Sequence, residues 1–512
     1  MTLKVILLYY FGLLWRANLN KSIEPIIEAN LLFGFIPNQD FTLQYQFHRF
    51  LIEKIENGTL PPATKLPPSR QLAKTLHLSR NTVTHVFDQL KAEGYLTTRQ
   101  GSGTYINAAL PTEKEGFSLT PWHVDTQLPG LSTVGKRLQM NPCNHDAKNL
   151  PFTSGVPDHT VFPEKIWQRL QRRHADRKSL KGYGGGQGYS PLRYALANYL
   201  KISRGVLCDA DQIIVTQGAQ QAITLCALLL LNEGDEVLME NPGYANARRA
   251  FQIRQAKLKP LSIGSNGIDI NSLPKKTQAK LMYTTPTHQY PLGGIQPAAA
   301  RLALLDWAAS MGTWIIEDDY DSEFHFHGKP IAAIQGMAKK TPVIYIGSFS
   351  KTIYPALRLG YMVVPKELVG TFTNAKAHLS GEAPLLSQAI VSDFITEGHF
   401  IRHLRKVNLI YQKKWDHTQH LVKKHLEGLA TPIAESAGMH IALEIQCRSD
   451  TQLEAAFAKQ GYGGSALSSY YLPDQAQANS LSGLVLGFAC TNTQERESGI
   501  KILREIVLNN AF

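Results

Sequence analysis

The chain has 512 residues, of which 18% are charged and 43% hydrophobic, so it encodes a globular protein with a large core rather than a disordered chain. The 53 lysines and arginines exceed the 41 aspartates and glutamates, and the net charge of +12 favours anionic partners such as nucleic acid or phosphorylated ligands. The five cysteines lie far apart without C-x-x-C spacing, which predicts neither a metal site nor a disulfide framework and is typical of a cytoplasmic protein.

Residues 1–40 form an atypical N-terminal extension. Its apolar stretch, residues 5–15, is too short to span a bilayer, and no clear cleavage site follows it. We therefore expect no membrane association and assign the extension no function.

Residues 41–106 carry the pattern of a DNA-binding domain. Apolar residues at helical spacing over 43–55 predict a first helix, Ser69 begins a short second helix over 70–76, and Ser79 caps a third helix over 80–92. A short helix, a tight turn and a longer helix make a helix-turn-helix, whose last helix enters the major groove with its N-terminal residues leading. Residues 95–106 alternate apolar and polar residues around Gly-Ser-Gly and predict a hairpin wing.

The same region is basic, and the residues that follow it lack a pattern. Six basic residues against two acidic ones over 65–99 give a local charge of +4, which suits contact with backbone phosphates. Residues 107–149 show no periodicity, and their prolines and glycines predict a linker that lets two DNA-binding heads reach separate half-sites.

Residues 150–512 show strands and helices in alternation, with polar residues where strands end. A strand over 212–216, a small-residue turn and a helix over 222–231 predict an anion site at Ala219 and Gln220, because free backbone N–H groups at a helix start point at the ligand. In open α/β sheets, ligands bind at the C-terminal ends of the strands.

Two further strand ends predict a cofactor. The strand over 313–316 runs into the acidic sequence EDDYD, and the strand over 343–346 breaks into a loop that presents Ser348, Lys351 and then Arg358. A partly buried lysine has a lowered pKa and can form a Schiff base with an aldehyde, while hydroxyls and an arginine can hold a phosphate. With Asp318 available for a ring nitrogen, these groups suit pyridoxal phosphate (PLP).

Several segments resemble a known family. The sequences IIEDDYDSEF, GSFSKT and PALRLGY resemble the PLP-dependent fold type I aminotransferases, and KLPPSRQLAKTLHLSRNTVTHVFDQLKAEGYLTTRQGSGTYI resembles a GntR-type winged helix. Together, over 41–106 and 150–512, they resemble the MocR/PdxR-type transcriptional regulators. The resemblance implies a large α/β domain with a mixed, mostly parallel sheet and flanking helices, a small α+β C-terminal part, and a head-to-tail homodimer.

The resemblance also implies roles for individual residues. Lys351 would form the aldimine with PLP, and Asp318 would pair with the pyridine nitrogen. Tyr244 would stack on the ring, and Tyr183 would reach the phosphate of the neighbouring subunit. The phosphate would be held by Ser348, Arg358, Ala219 and Gln220. The implied DNA contacts are Arg70, Arg80, Asn81, Thr82 and Gly101.

Two positions depart from the aminotransferase pattern. Tyr290 stands where an asparagine would bond the ring hydroxyl of the cofactor; His288 or Gln289 replaces it, or Tyr320 serves that hydroxyl, or no residue does. Val485 stands where an arginine would clamp the carboxylate of an amino-acid substrate.

We weigh two functions on this basis. In the first, the protein is a transcriptional regulator that binds double-stranded DNA and uses PLP as effector or sensing group, for vitamin B6 or amino-compound metabolism. In the second, it is an active aminotransferase with an accessory DNA-binding head. The missing clamp favours the first and predicts little or no transaminase turnover, and the effector stays open between PLP itself and an amino compound.

Overall fold

The structure is a computed structural model that describes residues 35–37, 41–109, 130–140, 150–326, 331–434, 438–473 and 480–509. The chain divides into two compact units, Met1–Gly130 and Leu131–Phe512, and each is described by itself. Among the helices in these ranges, none is both long and apolar enough to cross a membrane.

The first unit is a three-helix domain with a hairpin. Its elements are α1 (Leu43–Glu56), α2 (Ser69–Thr75), α3 (Arg80–Ala92), β1 (Leu96–Arg99) and β2 (Gly103–Ile106). The Ser79 hydroxyl accepts the backbone N–H of Thr82 at 3.0 Å and so caps α3. Phe47, Leu72 and Val83 are wholly buried where the helices meet. The predicted winged helix-turn-helix is confirmed.

The extension is described only at residues 35–37. There, the Phe35 ring lies edge-on against Phe47 and Phe50 of α1, with centroid distances of 5.4 Å to each ring. Residues 1–34 and 38–40 lie outside the described residues.

A helix forms inside the predicted linker. Helix α4 (Thr133–Met140) contacts the segment Ala245–Ile253 of the second unit, so regular structure is present within the predicted linker. Val134 and Leu138 are one helical turn apart, and so short an apolar pattern does not predict a helix. A helix of this length is stabilised by tertiary contact rather than by local propensity. Residues 110–129 and 141–149 lie outside the described residues.

The second unit is built on an eight-stranded sheet with strand order β3-β10-β9-β8-β7-β4-β5-β6. Strands β4, β5, β7, β8 and β9 run parallel, and β10 is antiparallel to both of its neighbours. The strands are β3 (Ile213–Thr216), β4 (Glu236–Asn241), β5 (Lys257–Gly264), β6 (Gly267–Ile268), β7 (Leu281–Thr284), β8 (Trp314–Asp319), β9 (Val343–Ser348) and β10 (Gly360–Val363). The parallel strands therefore end at one common edge.

Helices cover both faces of this sheet. They are α5 (Glu164–Ala175), α6 (Ser190–Arg204), α7 (Ala219–Leu230), α8 (Ala245–Ile253), α9 (Ala298–Met311), α10 (Ile334–Met337), α11 (Val369–Ser380) and α12 (Leu385–Thr396). Successive side chains of a strand point to opposite faces of the sheet, so β3 contributes to two hydrophobic clusters. Ile213 and Val215 belong to the cluster on one face, and Ile214 belongs to the cluster on the other. The predicted α/β class, with a mixed and mostly parallel sheet, is confirmed.

The C-terminal part is a smaller α+β layer. Its elements are α13 (His399–Leu426), β11 (Ala430–Pro432), β12 (His440–Ile445), α14 (Asp450–Lys459), β13 (Ser465–Ala466), β14 (Gly483–Gly487) and α15 (Thr493–Asn509), and its antiparallel sheet has the order β11-β12-β14-β13. The backbone at Phe152 bridges to Gly487 of β14, with a hydrogen bond of 2.8 Å from the Gly487 N–H to the Phe152 carbonyl. This contact attaches the segment before α5 to the small antiparallel sheet.

Candidate functional sites

A cavity of about 990 Å³ lies where the strands of the large sheet end. Its wall contains eight of the ten predicted cofactor residues: Lys351, Asp318, Tyr320, Ser348, Arg358, Ala219, Gln220 and Tyr244. The structure therefore brings together groups that are up to 139 positions apart in the sequence (358 − 219 = 139).

The acidic sequence after β8 supplies carboxylates with different surroundings. Glu317 accepts the backbone N–H groups that begin α10, at 2.8 and 2.9 Å. Asp319 forms a buried ion pair with Arg204 at 2.8 Å; burial would raise its pKa, but the guanidinium holds it below the usual value. Asp318 and Asp321 each keep one oxygen without a partner among the described residues, and both of them line the cavity.

Asp318 is the carboxylate best placed for a ring nitrogen. It is 3% exposed, its Oδ2 accepts the hydroxyl of Tyr283 at 2.6 Å, and its Oδ1 is the unpaired atom. Burial raises its pKa to about 7, and the carboxylates of Asp319, Asp321 and Glu240 contribute, while the bond from Tyr283 works against the rise. A protonated ring nitrogen would satisfy Oδ1 and stabilise the charged form.

Lys351 lines the same cavity as Asp318 and Asp321. Its Nζ donates to the Gly155 carbonyl at 2.7 Å, and this bond holds the amine in place. Burial lowers its pKa, and the charges of Asp321 and Asp318 partly offset that effect. A half-buried amine with a lowered pKa is the group that condenses with an aldehyde.

The other end of the cavity suits a phosphate. Helix α7 begins at Ala219 without a side-chain cap, so the N–H groups of its first turn are available to an anion. Gly218 precedes it with φ of 91°, a conformation that a side chain would strain. Ser348 and Arg358 stand beside this helix start, and Arg358 donates to the Gln217 carbonyl at 3.2 Å.

Three tyrosines surround the space between the two ends. The Tyr290 ring lies edge-on to Tyr244 and Tyr320, with centroids 5.6 and 5.5 Å away. The Tyr290 hydroxyl is 3.2 Å from that of Tyr470, whereas the Tyr320 hydroxyl has no partner among the described residues. Among the residues considered as partners for the ring hydroxyl of the cofactor, Tyr320 is therefore the one that lines the cavity with an unpaired hydroxyl.

The other two candidates for that hydroxyl are engaged elsewhere. Gln289 is fully buried and donates to Glu240 and to the Pro242 and Tyr290 carbonyls, at 2.8 to 3.1 Å. The Nδ1 of His288 is 2.7 Å from Oδ1 of Asp321, and His288 does not line the cavity. The structure thus places His288 behind Asp321 rather than among the cofactor-facing residues.

Tyr183 also lies outside the cavity of its own chain. It is fully exposed in the loop before α6. A role toward the phosphate of a neighbouring subunit stays a prediction.

Val485, at the position where the aminotransferase pattern predicts a substrate-clamping arginine, does not line the cavity. It is wholly buried in β14, in an apolar cluster with Leu292, Ala442, Leu467 and Tyr470. Val485 is thus part of the core of the small sheet, and its apolar side chain cannot bind a carboxylate.

Several cavity residues were not predicted from the sequence. Among them are Tyr283, Gly155, Asp321, His440 and the α4 residues Val134, Arg137 and Leu138. Tyr283 carries a usable signal, since a tyrosine in a fully apolar buried strand needs a partner for its hydroxyl. Gly155 and His440 carry none, because only the tertiary fold brings them to Lys351.

The predicted DNA contacts lie on the surface of the first unit. Arg70, Arg80, Asn81 and Gly101 are exposed, and Arg80 and Asn81 begin α3 as a recognition helix requires. Thr82 is half-buried, and its hydroxyl is 2.8 Å from that of Ser79. In the wing, Arg99 stacks 4.7 Å from the Tyr105 ring centroid, which orders the hairpin.

Comparison with known families agrees with this division. The model for bacterial regulatory proteins of the gntR family matches residues 46–106, and the model for aminotransferase class I and II matches residues 147–462.

Individual relatives span both regions. The probable rhizopine catabolism regulatory protein MocR of Rhizobium meliloti is 36% identical over 469 residues, covering 90% of this chain and 94% of its own. The HTH-type pyridoxine biosynthesis transcriptional regulator PdxR of Corynebacterium glutamicum is 28% identical, covering 90% and 95%. Among solved structures, the alpha-aminoadipate aminotransferase LysN of Thermus thermophilus matches with a TM-score of 0.66 and 24% identity over 74% of this chain and 95% of its own, which shows the shared fold.

Proposed function

Because the chain belongs to the MocR/PdxR-type transcriptional regulators, with a gntR-type DNA-binding domain before an aminotransferase class I and II domain, we propose that it holds PLP at Lys351 and couples the occupancy of this site to DNA binding. The gntR-type domain accounts for the DNA-binding half of this function.

The observation that carries the proposal is the set of unpaired polar groups in one cavity. The Oδ1 of Asp318 and the Tyr320 hydroxyl have no partners among the described residues, and the first turn of α7 has no side-chain cap. A buried polar group without a partner is unfavourable, so these atoms indicate a ligand with a ring nitrogen, a hydroxyl and a phosphate. When bound, PLP supplies an aldehyde that condenses with amines and a ring nitrogen that draws electrons from the bonds beside them.

Each residue then has a defined task. Asp318 would hold the proton on the ring nitrogen, Tyr320 would bond the ring hydroxyl, and Lys351 would supply the amine. Ser348, Arg358 and the start of α7 would hold the phosphate. Tyr244 would pack on the ring, and Tyr290 supports Tyr244 from its edge.

Transaminase turnover is the weaker alternative. An amino-acid substrate needs a cation that orients its carboxylate over the ring. Val485 at the corresponding position is buried among apolar side chains, which favours a regulator over an enzyme.

Helix α4 offers a route from the cavity to the DNA-binding domain. Val134, Arg137 and Leu138 form part of the cavity wall, and α4 follows the first unit directly in the sequence. A ligand that contacts this wall can therefore bias the segment that leads to the DNA-binding domain, provided that it binds two arrangements unequally.

The names of the relatives suggest two kinds of signal. PdxR is named for pyridoxine biosynthesis and MocR for rhizopine catabolism. We infer that this protein acts in the cytoplasm as a head-to-tail homodimer, responding to PLP or to an amino compound that joins it. In such a dimer the exposed Tyr183 would meet the phosphate held by its neighbour.

The test is the affinity for DNA upstream of the protein's own gene, measured by fluorescence anisotropy at fixed salt with and without PLP. A change of affinity with PLP, lost in Lys351→Ala, is the expected result. An unchanged affinity in a protein that shows the visible absorption of lysine-bound PLP would reject PLP as the signal, and the absence of that absorption would reject the cofactor site.

A further inference from the structure

One carboxylate of the cavity is left over after the proposed PLP contacts are assigned. Asp321 is 1% exposed, and its Oδ1 is held by Nδ1 of His288 at 2.7 Å. Its Oδ2 has no partner among the described residues, although the residue lines the cavity. The groups of PLP are met by Asp318, Tyr320, Lys351 and the phosphate site, so none of them accounts for this oxygen.

Asp321 lines the cavity near the Lys351 amine. Of the two carboxylates that act on the Lys351 amine, Asp321 has the larger effect on its pKa. A side-chain carbon on Gly438 would lie 2.9 Å from Oδ2 of Asp321, so the glycine leaves space beside this oxygen. Gly438 precedes Met439 and His440, which line the cavity next to it.

No lysine or arginine bonds Asp321 among the residues that the structure describes, and burial lowers the pKa of His440, which lines the cavity near it. Arg358 bonds the Gln217 carbonyl before α7, and Arg249 bonds the Asn246 side chain at 2.9 Å, in the first turn of α8. Asn246 in turn accepts from Gln220 of α7 through its carbonyl. These arginines therefore belong to the phosphate end, and Arg137 comes from α4, which contacts α8.

We propose that Asp321 binds the second polar group of an amine effector, and that this effector is an amine with an additional ammonium or hydroxyl donor and without a carboxylate. Diamines and amino alcohols are the chemical class. The inference rests on the proposed function, because the effector would meet PLP at Lys351.

The chemistry follows from what Oδ2 lacks. A buried carboxylate oxygen gains most from a hydrogen-bond donor, and a charged donor gives the stronger bond. An effector carboxylate would instead face a like charge without a compensating cation, and this repulsion excludes amino acids. His288 holds Asp321 in place and is a positioning residue.

The test compares four amines of the same length on the PLP-loaded full chain: propylamine, propanolamine, trimethylenediamine and beta-alanine. Each is titrated while the visible absorption of the bound cofactor reports its arrival. We expect trimethylenediamine or propanolamine to bind about tenfold or more tightly than propylamine, because each can donate to Asp321, and beta-alanine to bind most weakly. If trimethylenediamine binds more tightly than propanolamine, the group that bonds Asp321 is an ammonium; if propanolamine binds more tightly, it is a hydroxyl.

In Asp321→Asn, trimethylenediamine and propanolamine should lose much of their affinity advantage over propylamine. The advantage is calculated within each variant, with propylamine as the reference. If this variant does not fold, the ranking in the wild-type protein still decides. A flat ranking, or beta-alanine binding as tightly as trimethylenediamine, would overturn the assignment of Asp321 while leaving the cofactor site intact. Failure of the wild-type protein to show lysine-bound PLP would instead reject the proposed function on which the inference rests.

Discussion

The hydroxyl of Tyr283 donates to Oδ2 of Asp318 across 2.6 Å, and this bond decides which oxygen of Asp318 is left for a ligand. Tyr283 pairs with Ile316 on the neighbouring parallel strand, two positions before Asp318. Both side chains come from buried strands. The Asp318 carboxylate is therefore held by the backbone of its own strand and by the hydroxyl from the neighbouring strand. Its Oδ1 is thereby fixed in the cavity wall before any cofactor binds.

Removing this hydroxyl should weaken PLP binding. In Tyr283→Phe the carboxylate loses a hydrogen bond to its charged form, and we expect the PLP dissociation constant to rise about tenfold, or about 1.4 kcal/mol. Absorption titration of the cofactor-free protein gives the constant.

The matched control is Tyr345→Phe. The Tyr345 hydroxyl bonds Asp319, which does not line the cavity, so PLP affinity should stay close to that of the wild type. Equal losses in both variants would show that general destabilisation, and not the orientation of Asp318, is the cause.

The pH dependence of stability offers a test of the buried Asp318. Burial raises its pKa from 3.8 to about 7, so the folded, cofactor-free protein keeps a proton that the unfolded chain releases. The contribution of this group to stability therefore falls as pH rises from about 4 to about 7 and is level outside that window.

Asp318→Asn has no such proton, so its stability relative to the wild type should increase over the same window. One pKa unit corresponds to about 1.4 kcal/mol, so the expected change between about pH 5 and about pH 8 is at most about 3 kcal/mol. Urea denaturation of both cofactor-free proteins at about pH 5 and about pH 8 measures it. A difference that does not vary with pH would place the pKa of Asp318 in its ordinary range.

The sequence was sufficient for the architecture because local and global signals agree there. Ser79 caps the recognition helix, and the apolar strands that end in polar residues predict both the sheet and the edge where Asp318 and Lys351 meet. The remaining wall could not be predicted in this way. Gly155 and His440 enter the cavity wall only through tertiary packing, and His288 pairs with Asp321 and lies outside that wall.

The DNA-binding surface can be tested through its salt dependence. Arg80 begins α3 and is exposed, so Arg80→Ala should lower DNA affinity, and loss of one phosphate contact should reduce the slope of log affinity against log salt by about 1. Lys91→Ala is the matched control, since Lys91 lies in the last turn of the same helix and pairs with Asp88 at 3.0 Å. Similar changes in both variants would argue against the N-terminal end of α3 as the contact.

Helix α4 offers a test of the coupling between PLP binding and DNA binding. Leu138 lines the cavity, whereas Lys136 on the same helix is exposed and does not. If the signal passes through this wall, Leu138→Ala should bring the DNA affinities with and without PLP toward the same value, because coupling between two sites is typically worth only about 1–3 kcal/mol. Anisotropy at fixed salt measures both affinities, and absorption confirms that PLP is bound in each case.

Lys136→Ala should keep the PLP-dependent change, since that side chain lies outside the wall. Retention of the full change in the Leu138 variant would exclude this contact as the route, and its loss in both variants would indicate that the helix matters as a spacer rather than as a wall. A loss confined to Leu138→Ala is the result that follows from the geometry, because in α4 only residues in the cavity wall can distinguish an occupied cavity from an empty one.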